Sequence, residues 1–175
     1  GEQYVDVAND CNDGNPAVNP GAEEIPCDHV DNDCDGEGAG TAVAALLGVE
    51  YPEINEAIAH ASAGDTVYIC PGTHYEQVWV SYGRELTLLG ATGDPADVVL
   101  DGGGVQTVVY LDTASAVTLS HVTIQNGVGE DWWGPGQGAI GGGIMSNAAG
   151  LTVQDCRFVQ NFADYGGGAM YIDTD

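Results

Sequence analysis

The sequence predicts an all-β solenoid: a stack of short parallel strands, closed at its N-terminal end by an amphipathic helix and preceded by a small irregular acidic module. Three observations carry that expectation. From Asp65 onward the chain is a series of short β runs broken by Gly, Asp and Asn, among them "TVYIC", "LTLLGA", "TVVYLD" and "GAMYID". "VTLSHVTIQNG" from Val117 and "LTVQDCRFVQN" from Leu151 match position by position in apolar character. "GGGI" at Gly141 recurs as "GGGA" at Gly166, 25 positions on. Strand-and-turn units repeating at such a period are the mark of a solenoid. An immunoglobulin-like sandwich also uses short strands, but gives the repeated Gly triplets no role.

Composition narrows the partners. Of 175 residues, 43% are hydrophobic, so a core is available. The net charge is −25, because the only cationic side chains besides histidine are Arg84 and Arg157. Phosphate binding needs Lys and Arg, so nucleic acid is excluded as a partner, and an anionic membrane surface with it. A cation is the natural partner. No run is long and apolar enough to insert in a bilayer as a helix. The start "GEQYVDV" is no signal peptide and reads as a mature terminus or an internal cut. Five cysteines, three of them within residues 11–34, point to an oxidising compartment or a metal site, hence to a secreted, extracellular cell-surface protein. An acidic halophile cytosol explains the charge but not its clustering.

Residues 1–37 form the acidic module. They hold eleven of the 27 Asp and Glu residues, no Lys or Arg, and no apolar periodicity. Such a segment buries too little apolar area to order itself and needs a metal, a disulfide or both. Residues 38–50 read as a connector. In "YPEINEAIAHASAGD" the face Ile54, Ala57, Ile58 and Ala61, with Pro52 in the first turn and Gly64 as the stop, predicts a short helix. Placed before the first strand, it covers the apolar end that a strand coil leaves open. Residues 51–175 then form the coil, with Val122, Ile124, Cys156 and Phe158 at inward positions.

The run "EINEAIAHASAGDTVYICPGTHYEQVWV…LTLLGA" resembles the opening of right-handed parallel β-helix proteins of the pectate-lyase-like superfamily. "GGGI…LTV.DC.F..N.A..GGGAMYI" is similar to the Gly-rich coils of bacterial surface β-helices and polymorphic outer-membrane proteins. Over residues 50–175 the resemblance implies a right-handed parallel β-helix. "GGGAMYIDTD" stops inside a coil. Residues 166–175 are therefore expected to be ordered and to abut either further coils of a longer chain or another copy, in self-association.

The module's chemistry lies in "VDNDCDGEG". Asp31, Asp33 and Asp35 alternate and close on Gly36, the first half of a calcium loop, in which alternate carboxylates converge on one ion. The bidentate Glu of an EF-hand is missing, since residue 42 is Ala. Further ligands are expected from Asp10, Asn12, Asp13, Glu23, Glu24 and Asp28. Hard oxygen donors favour calcium. The stretch "DCNDGNPAVNPGAEEIPCDHVDNDCDG" resembles the Asp- and Cys-rich metal-binding repeat of bacterial extracellular proteins, sometimes catalogued as copper-binding. The repeat's usual Gly after "CD" is His29 here, which favours copper slightly. Cys11, Cys27 and Cys34 are odd in number, so one of them is expected to reach Cys70, with connectivity open. Cys156 is expected to be a small buried hydrophobe.

Catalytic groups are scarce. A lyase needs a base beside acidic calcium ligands, and neither Arg84 nor Arg157 adjoins an Asp cluster. A hydrolase needs paired carboxylates, whereas Asp94, Asp97 and Asp101 read as turn residues. Trp132 and Trp133, in the insertion "GEDWWGPGQG", either stack on carbohydrate or a partner, or fold back on the coil. The sequence thus predicts a non-catalytic surface or appendage protein, calcium-stabilised, for adhesion or assembly into a fibre. The alternatives are a polysaccharide-active enzyme and a copper-sequestering surface protein.

Overall fold

The computed structural model describes residues 11–36, 43–81, 83–113, 115–129, 131, 138–147 and 150–173. Two short strands open the fold, β1 (Ala44–Leu46) and β2 (Val49–Tyr51), followed by helix α1 (Ile54–His60). Then come β3 (Thr66–Ile69), β4 (Gly72–His74), β5 (Val78–Val80), β6 (Glu85–Gly90), β7 (Val98–Asp101) and β8 (Val109–Leu111). The chain continues with β9 (Ala116–Ser120), β10 (Thr123–Gln125), β11 (Ile144–Ser146), β12 (Gly150–Gln154), β13 (Arg157–Val159) and β14 (Met170–Ile172).

These strands form three sheets. Sheet A has the order β12-β9-β6-β3-β1-β2, sheet B β13-β10-β7-β4, and sheet C β14-β11-β8-β5. From β3 onward each strand pairs in parallel with the third strand along the chain. The β1–β2 hairpin is antiparallel, and β1 also meets β3 antiparallel. The expected right-handed parallel β-helix is corrected accordingly. The described residues show a mostly-β chain with one short helix, its strands in three separate small sheets, the largest of them mixed, and no closed solenoid. The physical reason is that repeated apolar patterns fix which residues sit side by side on neighbouring strands. They do not dictate how separate sheets join, and they do not reveal the antiparallel hairpin. That hairpin lies in residues 44–51, where a connector was expected; Leu47 and Gly48 turn it, both at positive φ (52° and 84°).

The repeats themselves are register neighbours. Val117 lies opposite Leu151, and Thr123 opposite Arg157. Positive-φ corners recur with them: His121 and Asp155, then Asn126 and Gln160. The Gly triplets meet a steric demand. A Cβ on Gly142 would run into the carbonyls of Phe162 and Gly168, and one on Gly143 into that of Ala169. Backbones of successive strands pass too closely there for any side chain.

One apolar core joins the three sheets and α1. Across sheet A the inward column is Val67, Leu88, Leu119 and Val153; in sheet B it is Leu100, Ile124 and Phe158; in sheet C, Val78, Val109, Ile144 and Met170. All are buried except Val153, Phe158 and Met170 on the last strand of each sheet, which are half-buried. Cys156 is half-buried too, packed against the same core rather than fully enclosed.

Helix α1 buries Ile54, Ala57 and Ile58, with Ala61 just beyond, so the expected apolar face is the one that packs. Seven residues are too few for a stable helix in isolation, and both ends are held from outside. At the N-terminus Glu53 makes no side-chain cap. Glu76 takes its place: Ile54 N–H donates to Oε1 at 2.7 Å and Asn55 N–H to Oε2 at 3.2 Å. At the other end the Arg84 guanidinium donates to the carbonyls of Ala61 (2.6 Å), Ile58 (3.1 Å) and Ala59 (3.4 Å). These positions match the sign of the helix dipole. Replacing Arg84 by Met keeps much of the apolar stem and removes the charged donors. Urea denaturation should then show a loss of about 1–3 kcal/mol.

Asp101, at the end of β7, is the buried carboxylate of the turn to β8. Burial by itself raises its pKa. The donors Gln125 Nε2 (2.7 Å), Gly103 N–H (2.8 Å) and Asn126 Nδ2 (2.9 Å) outweigh burial and hold the pKa below the ordinary value. A folded-state pKa below the unfolded one, about 3.9, stabilises the protein above that pH; the contribution is lost as pH falls through the folded value. Asp101→Asn turns an amide donor towards two amide donors. It should lower stability near neutral pH and flatten the acid limb of a stability-versus-pH curve measured below about pH 4.

Candidate metal centre

The module between residues 11 and 36 has no helix or strand. Its single buried apolar side chain is Val18, so packing cannot hold it. Cross-links and polar contacts do. Cys11 is bonded to Cys34, and Cys27 to Cys70 at the end of β3. The second disulfide ties the module to sheet A. Glu24 lies against Gly48 of the hairpin turn, where a Cβ would touch its side chain. His29 Nδ1 stands 4.0 Å from Glu50 Oε1 on β2.

Asn32 is the pivot of the acidic loop. It is almost fully buried. Its side-chain oxygen accepts the Ile25 N–H at 2.8 Å, its carbonyl accepts the Asn19 N–H at 2.8 Å, and its amide donates to Asp28 Oδ2 at 3.3 Å. With Asn32 turned inward, its neighbours Asp31 and Asp33 turn away from it and towards Glu24. Glu24 reaches across eight residues to accept the N–H groups of Asn32 (2.6 Å) and Asp33 (3.0 Å) through Oε1. One carboxylate oxygen from each of Glu24, Asp31 and Asp33 lies within 4.8 Å of the others, close enough to share an ion. The loop then closes on Asp31, whose Oδ1 accepts from Asp35 N–H and whose Oδ2 accepts from Gly36 N–H. Gly36 sits at φ 91°, a conformation that suits glycine.

Of the expected ligands, Asp31 and Asp33 are brought together; Asp13, Asp28 and Asp35 are exposed and outside the trio. Asp28 serves the loop instead, accepting from Val30 N–H. Asn12 accepts the Gly14 N–H within its own turn. Asp10 lies outside the described residues, as do Trp132 and Trp133. Glu24, one of the further candidates and not part of the alternation within "DNDCDG", is the third member of the trio. Its signal is the pair "EE" at a distance that lets one side chain cap the backbone of the loop.

The donor set is oxygen throughout. The four cysteines of the module and of β3 are all in disulfides and offer no thiolate. His29 is not in the group; it occupies a left-handed backbone position (φ 61°) of the kind glycine usually fills.

A second cluster was not foreseen. Ser120 Oγ lies 2.6 Å from His121 Nδ1, and His121 Nε2 is 3.7 Å from Asp155 Oδ2. The order of contacts is that of a nucleophilic triad, but Ser120 is buried in sheet A and presents no open face to a substrate. An open groove of about 290 Å³ on the same sheet, lined by Thr87, Thr118, Thr152 and Glu85, has Glu85 as its one ionisable lining group. One carboxylate does not make the acid–base pair of a glycosidase.

Residues 10–39 match the family model described as "Putative metal-binding motif", whose label names copper. The match covers the acidic loop, the whole Cys11–Cys34 disulfide and the Cys27 half of the second, and it leaves the strand region unmatched. No curated protein and no solved structure matches the chain. A metal-binding motif is therefore what the comparison supports; nothing in it supports a pectate-lyase-like β-helix after the motif.

Burial pushes the Cys156 thiol up, and the nearby Asp155 carboxylate adds to the rise. With the other four cysteines in disulfides, native protein should show one thiol that reacts slowly with iodoacetamide at neutral pH and readily once unfolded. Peptide mapping under non-reducing conditions should recover the pairs 11–34 and 27–70.

Proposed function

We propose that the module binds a hard divalent cation, calcium, which completes the order of a core-poor segment on an extracellular, non-catalytic surface protein used for adhesion or assembly. The observation that carries the reading is the convergence of Glu24, Asp31 and Asp33 with every neighbouring cysteine oxidised. Three carboxylates in one small volume repel each other unless a cation stands between them. Calcium takes six to eight oxygens in flexible geometry and leaves room for water and carbonyl ligands beside the three carboxylates. Copper prefers imidazole, thiolate or thioether donors, and none stands in the group. The disulfides support an oxidising, secreted location. Among the described residues no helix is long and apolar enough to cross a membrane.

Calorimetric titration of metal-free protein tests the reading. Extracellular calcium modules bind at about 10⁻⁴–10⁻³ M, and binding in that range is expected here. Glu24→Gln and Asp33→Asn should each weaken it by tenfold or more, about 1.4 kcal/mol. Hydrogen exchange in residues 11–36 should slow on adding calcium. Copper binding that persists in both variants, with no heat from calcium, overturns the assignment and favours the copper reading.

A further inference from the structure

We propose that the outer face of sheet C, at Trp79 and Tyr110, is a platform for a neutral glycan chain, a site separate from the cation module and independent of it. Strand alternation sets up the platform. Val78 and Val80 of β5 point into the core and are fully buried, so Trp79 between them points outward. A Trp on a sheet face costs solvent-exposed apolar area, and this one is 54% exposed.

Tyr110 is its register partner on β8. The two rings meet edge-on, 5.5 Å between centroids and 80° between planes. An edge-on neighbour orients the indole without stacking on it. The same outward column continues through Met145, which is buried, to Tyr171 on β14. Strand spacing puts Tyr171 about 14 Å from Trp79.

The backbone beneath is held firmly. Asn55 Oδ1 accepts the Trp79 N–H at 2.8 Å, and the Asn55 amide donates to Glu76 Oε2 (2.9 Å) and to the Gln77 carbonyl (2.7 Å). Polar groups flank the rings: the Asn147 amide lies 3.4 Å from the Tyr110 hydroxyl on one side, and the Asn55–Glu76 pair adjoins Trp79 on the other.

Size and charge select the occupant. A fully exposed aromatic side chain offers about 150–250 Å², and Trp79 and Tyr110 are only partly exposed, so together they fall well short of the roughly 800 Å² per partner that a stable protein interface uses. A net charge of −25 disfavours anionic ligands. Of the two arginines, Arg84 is committed to helix α1 and Arg157 lies on β13 of another sheet. A neutral sugar ring fits both limits: its C–H face stacks on the indole while its hydroxyls reach amide and carboxylate groups at the rim.

The test uses the intact protein with cello-, xylo-, manno- and chito-hexaose, followed by calorimetry, together with pull-down on cellulose and chitin. At least one neutral glycan is expected to bind. Trp79→Ala should weaken that binding by about tenfold or more, and Trp79→Phe, which keeps a ring, should retain most of it. Both variants should melt like the parent, since the side chain is largely outside the core. Absence of binding across the panel overturns the proposal. So does undiminished binding by Trp79→Ala, which moves the contact elsewhere, or displacement of the glycan by tetramethylammonium, which makes this a site for organic cations. None of these outcomes depends on whether the module binds calcium, and all arms are run with and without the ion.

Discussion

The structure depends on in-register parallel pairing of each strand from β3 to β11 with the third one after it. Because Leu88 sits beside Val67 and Leu119 beside Leu88, inward side chains form columns of like residues across each sheet. A one-residue slip would turn the whole column outward, so the apolar alternation and the pairing enforce each other. Where the paired strands carry Gly142 and Gly143, register brings backbone against backbone, and only glycine is small enough. The Asp101 cluster follows from the same pairing. Gln125 is opposite Asp101 in sheet B, so its amide and that of Asn126 reach the carboxylate directly. Corners, glycines and the buried charge are all consequences of register.

The acidic module obeys other physics. It has no strand to pair and almost no apolar surface to bury, so its order comes from covalent links and from hydrogen bonds that end on carboxylates. Cys27–Cys70 does more than close a loop, because Cys70 is at the end of a core strand and fully buried. Through it the described module, with its one buried apolar side chain, is joined to the apolar core. Asn32 contributes the single buried polar anchor, and its four hydrogen bonds, one of them to Glu24, fix the backbone between Asp31 and Asp33. A loop arranged this way spends its N–H groups on carboxylates and brings like charges together. The repulsion left over is the physical motive for a cation.

Much of this was legible in the sequence, and the limits are physical. The α1 face at Ile54, Ala57 and Ile58 and the strand repeats were readable because periodic burial leaves a periodic pattern. The match of Val117 with Leu151 became a register pair. The closed β-helix was not supported, since a repeat reports pairing between neighbours and is silent on how sheets join and on antiparallel partners such as β1 and β2. In the module, alternation named Asp31, Asp33 and Asp35, and the structure gathers the first two beside Glu24 and leaves Asp35 exposed outside the trio; a period of two does not tell which carboxylates converge. Glu24 was one of several further candidates in the sequence, and what singles it out is a long-range cap on the Asn32 and Asp33 N–H groups that no local pattern encodes. The Ser120–His121 contact was missed for a similar reason: it needs the left-handed turn at His121 to bring adjacent side chains together.

The charge balance ties the two halves of the protein together. With two arginines against 27 acidic residues, the chain has almost no internal means of neutralising itself. One guanidinium is spent on the carbonyls of α1, and Asp101 is met by neutral amide donors instead of a cation. Carboxylates are therefore either solvated, engaged by N–H groups, or gathered where an ion can enter. The strand region is arranged in the first two ways, and its buried positions are filled with Val, Leu and Ile, which ask for no partner. Among the described residues, the one carboxylate trio close enough to share an ion lies in the module that the Cys27–Cys70 disulfide fastens to sheet A. A divalent cation entering between Glu24, Asp31 and Asp33 would offset their mutual repulsion, and the trio lies outside the apolar core that joins the sheets.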